Sequence, residues 1–289
     1  MRLVSYQFQG QDSWGVVDAQ GVADHRSIPM ALPATLQAFI AQCETSPDLL
    51  SRVMAASASA KKVQMAEVRL LPCIPQPQKI ICLGVNYVDH AKEGGNTIAD
   101  YPVIFLRCPT SLLAHGAPLH VPRISDKLDF EAELAVVIGK TTRFVSKEEA
   151  LASVFGYACF NDGSLRDYQR KTSQWTIGKN FEGTGGFGPE LVTADELPSG
   201  CKGLRIQSRL NGQIMQDANT RDMIWGVAET ITLLTECMTL EPGDLIIMGT
   251  PAGVGQARTP PVWMKHGDTI EIEIEHIGLL HNTIQDEAA

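Results

Sequence analysis

Three acidic residues stand at alternate positions in the segment KLDFEAELAVVIGK, residues 127–140. Alternate side chains of a β-strand point to the same face, so Asp129, Glu131 and Glu133 would lie close together. The apolar run that follows them predicts a buried strand, and burial raises the cost of holding like charges side by side. The segment therefore predicts a compensating positive charge.

A fourth acidic residue follows another apolar run, VFGYACF. Asp162 lies in CFNDGSLRDYQ, residues 159–169, where a strand is expected to end and functional side chains often emerge. Two glutamates and an aspartate without a nearby histidine form an all-oxygen ligand set, which suits Mg²⁺, Mn²⁺ or Ca²⁺ and not zinc. Glu131, Glu133 and Asp162 are therefore candidate metal ligands, although an isolated pair of alternating glutamates is more often an exposed strand face.

A histidine and a glutamate three residues apart follow the segment KIICLGVNY. On the short helix that VDHAKEGG predicts, His90 and Glu93 would share one face, where the carboxylate would orient the imidazole and raise its basicity. Such a pair can act as a general base on water or on a proton beside a carbonyl group, although an isolated pair is more often a surface contact. Gly94 and Gly95 would end the helix and provide a hinge.

The elements that must position these residues are mostly strands. One helix is expected at about 222–238, with Met223, Val227, Ile231, Leu234 and Met238 on one face. Because strands outnumber helices and no βαβ alternation occurs, a doubly wound sheet is disfavoured. Besides the buried strand in KIICLGVNY, strands are predicted at 103–106, 130–138, 204–210, 244–248 and 269–275.

The chain is predicted to divide near residue 72. Residues 1–72 combine strand-like alternation with two segments of helical spacing, which predicts a small N-terminal α+β domain. The segment LPCIPQPQK holds three prolines in nine residues, so it is expected to be a linker. The larger domain, 73–289, would carry the chemistry, and the N-terminal part would pack against it or contribute to a dimer.

Composition argues against several kinds of partner. The net charge is 24 − 33 = −9, and no basic run exceeds two residues, which disfavours nucleic acid and anionic membranes. No apolar stretch is long enough to cross a bilayer, and the N-terminal segment lacks the core of a signal peptide. Seven scattered cysteines without C-x-x-C spacing are typical of reduced thiols. A cytoplasmic location is expected.

Two familiar motifs do not hold. GTGGFG at 183–188 satisfies G-x-G-x-x-G, but Pro189 follows it, so the helix that would bind a pyrophosphate is not expected. No nucleotide cofactor is predicted. The chain also lacks a G-x-S-x-G segment, so a serine hydrolase of the α/β type is disfavoured.

Seven ordered blocks between about residues 79 and 282 resemble the fumarylacetoacetate hydrolase family, in particular bacterial acylpyruvases and 2-hydroxyhepta-2,4-diene-1,7-dioate isomerases. The family implies a mostly β, α+β catalytic domain with a rolled or barrel-like mixed sheet, and a homodimer. The blocks are GVNYVDHAKE, DFEAELAVVIGK, GYACFNDGSLRDYQ, WTIGKNF, LNGQIMQDANTRDM, LEPGDLIIMGTPAGVG and MKHGD…EIEHIGLLHN.

The resemblance also implies roles for individual residues. The metal ligands of the family map onto Glu131, Glu133 and Asp162, and Asp129 is not a ligand. Arg166, Gln169 and Lys179 would surround the metal-bound oxygens of the substrate, and Thr250 in the glycine-rich MGTPAGVG would hold its carboxylate. Outside the resemblance, Arg166 and Lys179 could be mere ion-pair partners of the acids, and GTPAG a tight turn. In related enzymes, the counterpart of the His90–Glu93 pair lies on a segment that orders over the ligand.

The chain departs from the family pattern at three positions that put its substrate in doubt. Arg107 stands where a lysine is common, Glu182 where an aspartate is usual, and Gly163 where a bulkier residue is usual. None of the three is a predicted metal ligand.

The predicted activity is Mg²⁺- or Mn²⁺-dependent hydrolysis of a C–C bond in a small acylpyruvate-like acid, in the catabolism of aromatic compounds or sugar acids. His90, held by Glu93, would activate water, and Lys179 would help to stabilise the pyruvate enolate that leaves. Decarboxylation or isomerisation of a 2-oxo or 2-hydroxydienoate acid needs the same metal and base but no attacking water. A non-catalytic domain that binds an oxo-acid or a protein is the third alternative.

Overall fold

The structure is a computed structural model that describes residues 1–95 and 100–288. Its α-helices are short: α1 (Leu36–Thr45), α2 (Leu49–Ser57), α3 (Val88–Glu93), α4 (Lys147–Ala150), α5 (Arg166–Gln169), α6 (Thr176–Lys179) and α7 (Val227–Cys237). Its strands are β1 (Arg2–Phe8), β2 (Gln11–Asp18), β3 (Gly21–Asp24), β4 (Lys62–Val63), β5 (Arg69–Leu70), β6 (Ile80–Gly84), β7 (Val103–Leu106), β8 (Leu112–Leu113), β9 (Leu119–Val121), β10 (Leu128–Asp129), β11 (Ala132–Ile138), β12 (Val154–Asp162), β13 (Ser164–Leu165), β14 (Gly185–Thr193), β15 (Arg205–Leu210), β16 (Gln213–Asn219), β17 (Leu245–Ile247), β18 (Thr269–Ile274) and β19 (Gly278–Asp286).

A large mixed sheet organises the molecule. Its strand order is β4-β3-β2-β1-β14-β12-β11-β17-β6-β7, with β5 beside β1 and β8 beside β14. Neighbours are antiparallel except β17 with β6 and β14 with β8, which run parallel. Within the described residues the order runs from β4 to β7 without closing, so the predicted mostly β fold with a mixed sheet is confirmed and the sheet is open rather than a closed barrel.

The central strand β11 is buried on both faces, which explains its continuous apolar sequence. Leu134 and Val136 pack into a core shared with α7 and with a second sheet of order β16-β15-β18-β19-β9. Ala135 and Val137 point the other way, into a core shared with α1 and α2. Glu133 is two residues before Ala135, so its side chain points to the same face of the strand, on the side of the core shared with α1 and α2.

The N-terminal residues continue the large sheet. Strand β1 pairs with β14 through Arg2 opposite Val192, and Phe39 of α1 packs in the same core as Ala135. The N-terminal part therefore packs on the larger part of the chain, while its separation as a domain at residue 72 remains a prediction.

The predicted helix at 222–238 is too long at its start, because α7 begins at Val227. Met223 pairs with Tyr87 as an isolated β-bridge, and the backbone N–H of Trp225 donates to Asn86 Oδ1 at 2.7 Å. These contacts hold 223–225 outside the helix, against the segment that leads into α3. Local spacing could not show this, because the partner lies about 140 residues away in the chain. No helix within 1–95 and 100–288 has the length and hydropathy required to span a membrane.

Candidate metal centre and active site

Two neighbouring strands bring the three predicted ligands together. Glu133 lies on β11, Glu131 immediately before it, and Asp162 at the end of β12, where Asn161 is opposite Ala132. The backbone N–H of Asp162 donates to the carbonyl of Glu131 at 3.0 Å. One carboxylate oxygen from each of Glu131, Glu133 and Asp162 lies within 4.8 Å of the others, and all three side chains are buried.

Asp129 is not among the three grouped carboxylates, and the prediction of one continuous strand that carries Asp129, Glu131 and Glu133 is wrong. The strand is interrupted between β10 and β11, and β10 pairs with β13 in a separate two-stranded sheet. Asp129 instead accepts hydrogen bonds from the backbone N–H groups of Gly255 at 2.8 Å and Gln256 at 3.0 Å. It anchors the loop that follows Thr250.

Three buried cations surround the carboxylates. Lys179 Nζ lies 2.6 Å from Glu131 Oε2 and 2.6 Å from Asp162 Oδ2. Arg166 donates to Glu131 Oε1 at 2.6 Å and to Asp129 Oδ2 at 2.8 Å. Arg107 donates to Asp162 Oδ1 at 2.5 Å.

Glu133 is the carboxylate left without a counter-charge. The cluster holds four buried acids and three buried cations. Among the described residues, 1–95 and 100–288, the ion pairs of this cluster all involve Asp129, Glu131 or Asp162. Glu133 Oε2 accepts a hydrogen bond from the backbone N–H of Gly249 at 2.5 Å. The compensating charge predicted from the sequence is thus mostly supplied by the chain, but one carboxylate remains unneutralised.

The pKa values of Glu131 and Glu133 are shifted in opposite directions. Burial raises the pKa of Glu131, but the charges of Arg166, Lys179 and His90 outweigh it and lower that pKa to about 2. Burial, together with the charges of Asp162 and Glu131, raises the pKa of Glu133 well above its usual range. Glu133 therefore either holds a proton or faces a cation.

The donor set fits a divalent cation. Three buried carboxylates within reach of one another, without sulfur or imidazole, match the oxygen preference of Mg²⁺, Mn²⁺ and Ca²⁺. The unneutralised Glu133 supplies the physical reason for such an ion. Lys179 bridges Glu131 and Asp162. Burial lowers the pKa of Lys179, but these two acids raise it by more than burial lowers it, so the lysine stays charged.

The predicted base lies at the same site. His90 and Glu93 lie on α3, with His90 Nδ1 3.2 Å from Glu93 Oε2. The other oxygen of Glu93 accepts the backbone N–H of Gly253 at 2.9 Å, which ties α3 to the loop after Thr250. His90 lines the same cavity as Glu131 and Glu133. Residues 96–99, beyond the Gly94-Gly95 hinge, lie outside the described residues.

A cavity of about 200 Å³ joins the base to the acids. Its lining includes His90, Glu131, Glu133, Lys179, Arg166, Gln169 and Thr250. Gln169 Oε1 accepts a hydrogen bond from Arg166 Nη1 at 2.9 Å. The Thr250 hydroxyl donates to the carbonyl of Ala132 at 3.0 Å and accepts from Gln216 Nε2 at 2.7 Å, so it is already engaged. The substrate-binding roles of these residues remain predictions.

Two further residues shape this site, and neither was predicted from the sequence to do so. Gln216 joins the backbone N–H of Ala132, between the two glutamates, to Thr250, yet an isolated glutamine in LNGQIMQDANTRDM carries no signal. Arg107 was noted only as a departure from the family pattern. It is buried, and besides Asp162 it donates to Ser111 and Thr184. A Cβ at Gly185 would lie 2.9 Å from Arg107 Nη2, so the glycine provides room for the guanidinium.

Arg107→Lys is expected to weaken Mn²⁺ binding by about 10- to 100-fold, the cost typical of losing a partner that orients a metal ligand. Lysine keeps the charge but cannot hold Asp162, Ser111 and Thr184 at once. Isothermal titration with MnCl₂ measures the change, and Arg52→Lys at an exposed ion pair with Asp48 is the matched control. An unchanged dissociation constant in a folded Arg107→Lys protein would show that Asp162 needs no such support.

Comparisons with known proteins agree with the fold. The family model described as fumarylacetoacetate (FAA) hydrolase C-terminal matches residues 79–285. The mitochondrial oxaloacetate tautomerase FAHD2A of Bos taurus is 36% identical over 266 residues, which are 91% of this chain and 84% of that protein. The chain therefore belongs to the fumarylacetoacetate hydrolase family, as the sequence blocks predicted.

Solved structures extend the likeness to the whole fold. Fumarylacetoacetate hydrolase (EaFAH) from Exiguobacterium antarcticum has a TM-score of 0.85 at 34% identity, covering 99% of this chain and 100% of that one. Maleylpyruvate hydrolase from Sphingobium sp. SYK-6, solved in complex with manganese (II) ion and pyruvate, has a TM-score of 0.82 at 29% identity and covers 100% of both chains. The homodimer and the cytoplasmic location remain predictions.

Proposed function

We propose that this protein is a divalent-metal-dependent enzyme that catalyses keto–enol tautomerisation of a small 2-oxo acid, with oxaloacetate as the model substrate. The observation that carries the proposal is the His90–Glu93 pair, which Gly253 holds at the cavity that Glu131 and Glu133 also line. A domain that only binds an acid does not require a base in this position, which disfavours the binding alternative.

The roles follow from the geometry. Glu131, Glu133 and Asp162 would hold Mg²⁺ or Mn²⁺, which when bound polarises the keto group and so acidifies the neighbouring C–H bond. Arg166 and Lys179 present buried positive charge beside these acids, where the C1 carboxylate and the keto oxygen of the substrate would lie. Gln169, bonded to Arg166, would orient its guanidinium.

The proton moves between C3 and the base. His90 takes a proton from C3, and the electron pair of the broken C–H bond forms the C2–C3 double bond while the keto oxygen gains negative charge. A proton returned to that oxygen completes the enol, so no atom is gained or lost. Glu93 holds the imidazole and stabilises it in its charged form. Lys179, which stays charged, stabilises the oxygen rather than acting as a base.

Two observations favour proton transfer over the hydrolysis that the sequence suggested first. The cavity is smaller than the roughly 300–1,000 Å³ of pockets for drug-sized ligands, which favours a small substrate such as a four-carbon acid. In addition, a relative that aligns with 91% of this chain is an oxaloacetate tautomerase.

Hydrolysis of an acylpyruvate is the second candidate. The high TM-scores of two hydrolases, one of them solved with manganese (II) and pyruvate, support it. The same base would then activate water instead of removing a C3 proton. Decarboxylation of oxaloacetate uses the same ligand set and is the third activity to test.

One panel of assays separates these activities. The protein is incubated with oxaloacetate, acetylpyruvate and fumarylpyruvate, with Mg²⁺ or with EDTA. Tautomerisation is followed by the ultraviolet absorbance of the enol, hydrolysis by release of pyruvate, and decarboxylation by release of CO₂ together with pyruvate. We expect Mg²⁺-dependent enol–keto conversion of oxaloacetate to be fastest. Faster pyruvate release from an acylpyruvate would assign hydrolysis, and the absence of any metal-dependent reaction would contradict an enzymatic role.

A further inference from the structure

The cations deep in the cavity are already committed to acids. Lys179 pairs with Glu131 and Asp162, and Arg166 pairs with Asp129 and Glu131. Neither cation can bind the distal carboxylate of a dicarboxylic substrate at the cavity mouth without losing a buried ion-pair partner, which is costly.

Arg170 differs from these residues. It lines the same cavity, it is exposed, and no carboxylate of residues 1–95 and 100–288 forms an ion pair with it. The neighbouring Lys171 does not line the cavity, and its Nζ lies 3.3 Å from the centroid of the Tyr168 ring. Arg170 is therefore a cation at the cavity mouth whose hydrogen-bonding capacity is unused within the described part of the chain.

The backbone of Arg170 is fixed relative to the metal centre. Arg170 caps α5, and its N–H donates to the carbonyl of Arg166 at 3.3 Å. Arg166 is itself held by Asp129 and Glu131. Arg170 thus holds a rigid backbone position next to Gln169, and its exposed side chain lines the cavity.

We propose that Arg170 determines substrate specificity by binding the distal carboxylate of a 2-oxo dicarboxylic acid. This inference rests on the proposed function, because it takes the keto-acid end to lie at Glu131, Glu133 and Asp162. A four-carbon acid bound in that way directs its C4 carboxylate away from the buried cluster and toward the mouth. The planar fork of an arginine matches a carboxylate with two parallel hydrogen bonds.

The test compares acids that differ only at the distal group. Exchange of the C3 protons of oxaloacetate and of 2-oxobutyrate, which has a methyl group in place of the distal carboxylate, is followed by NMR in D₂O with Mg²⁺-loaded protein. Arg170→Met is expected to lower kcat/KM for oxaloacetate by about 10- to 100-fold and to change that for 2-oxobutyrate by less than about two-fold. Arg170→Lys should fall between the wild type and Arg170→Met.

Lys171→Met is the matched control, because it removes the same charge from the adjacent residue outside the cavity. If it lowers the oxaloacetate rate as much as Arg170→Met, long-range attraction explains the effect and the inference is overturned. An equal loss for both acids in Arg170→Met overturns it as well.

Binding is measured separately from turnover, with malate and 2-hydroxybutyrate as unreactive analogues of oxaloacetate and 2-oxobutyrate. Wild-type protein should bind malate more tightly, and Arg170→Met should abolish the difference. If neither oxo-acid exchanges but malate keeps its Arg170-dependent advantage, the proposed function fails while the specificity inference stands. If malate has no advantage in the wild type, the inference itself is overturned.

Discussion

Glu133→Gln is expected to stabilise the metal-free protein while it weakens binding of Mg²⁺ or Mn²⁺ by at least about 100-fold. Glu133 is buried beside Asp162 and Glu131, and burial together with those charges raises its pKa. Glutamine is nearly isosteric, carries no charge, and keeps an oxygen that can accept the N–H of Gly249. The substitution therefore removes like-charge repulsion and, with it, one of three ligand carboxylates.

The raised pKa of Glu133 also predicts how the stability of the metal-free protein changes with pH. The unfolded chain ionises Glu133 near its usual pKa of 4.5, whereas the folded metal-free protein keeps the proton to higher pH. Between these two pKa values the unfolded state binds fewer protons, so the contribution of Glu133 to the free energy of unfolding falls as pH rises. The advantage of Glu133→Gln over the wild type should therefore grow from about pH 5 upward, until the folded-state pKa is passed.

Thermal unfolding in EDTA across that pH range, and calorimetric titration with MnCl₂, measure the two effects. Glu148→Gln, which removes an exposed carboxylate from α4, is the control and should change neither. Metal binding to the wild type below the raised pKa should also release a proton, which appears as a dependence of the binding enthalpy on buffer. A Glu133→Gln protein that is less stable without metal, or that binds manganese normally, would contradict the charge imbalance.

His90→Ala is expected to lower C3 proton exchange of oxaloacetate by about 10²- to 10⁴-fold, the range typical of losing a general base. The same variant should bind Mn²⁺ with a dissociation constant close to that of the wild type, because His90 is not among the three candidate carboxylate ligands. Exchange is measured by NMR in D₂O and the metal affinity by calorimetry, so loss of the base is separated from loss of the metal.

Lys92→Ala is the matched control for His90→Ala. Lys92 lies on the same helix, α3, and pairs with Asp89 on its exposed side. It should exchange protons at nearly the wild-type rate. Equal losses in the two variants would mean that a disturbed helix explains the effect, and full activity of His90→Ala would refute its assignment as the base.

Substitutions of Glu93 test its role separately from that of His90. In Glu93→Gln the amide oxygen can still accept the N–H of Gly253, but the negative charge beside His90 is gone. We expect a smaller loss of exchange than in His90→Ala, because the imidazole remains but is less basic. Replacement by alanine should cost more than replacement by glutamine, since it also removes the contact between α3 and the loop.

Local sequence patterns predicted the main elements of this protein. The run AELAVVI predicted a buried strand, and the acids next to it and at the end of VFGYACF predicted an acidic cluster, whose carboxylate oxygens the fold brings within 4.8 Å of one another. The spacing of His90 and Glu93 predicted a pair on a short helix, which α3 confirms. These predictions succeeded because strand and helix periodicity are local properties that the side chains encode directly.

Which charged groups contact one another depends on long-range packing. Arg107 lies 55 residues before Asp162, Gln216 lies 84 residues after Ala132, and Gly253 lies 160 residues after Glu93, so no local pattern relates them. The same holds for the non-helical segment before α7 and for the position of Arg170 at the cavity mouth. Charge neutralisation and hydrogen bonding depend on distances of a few ångströms between residues remote in the chain, and the packing of the sheets alone sets those distances.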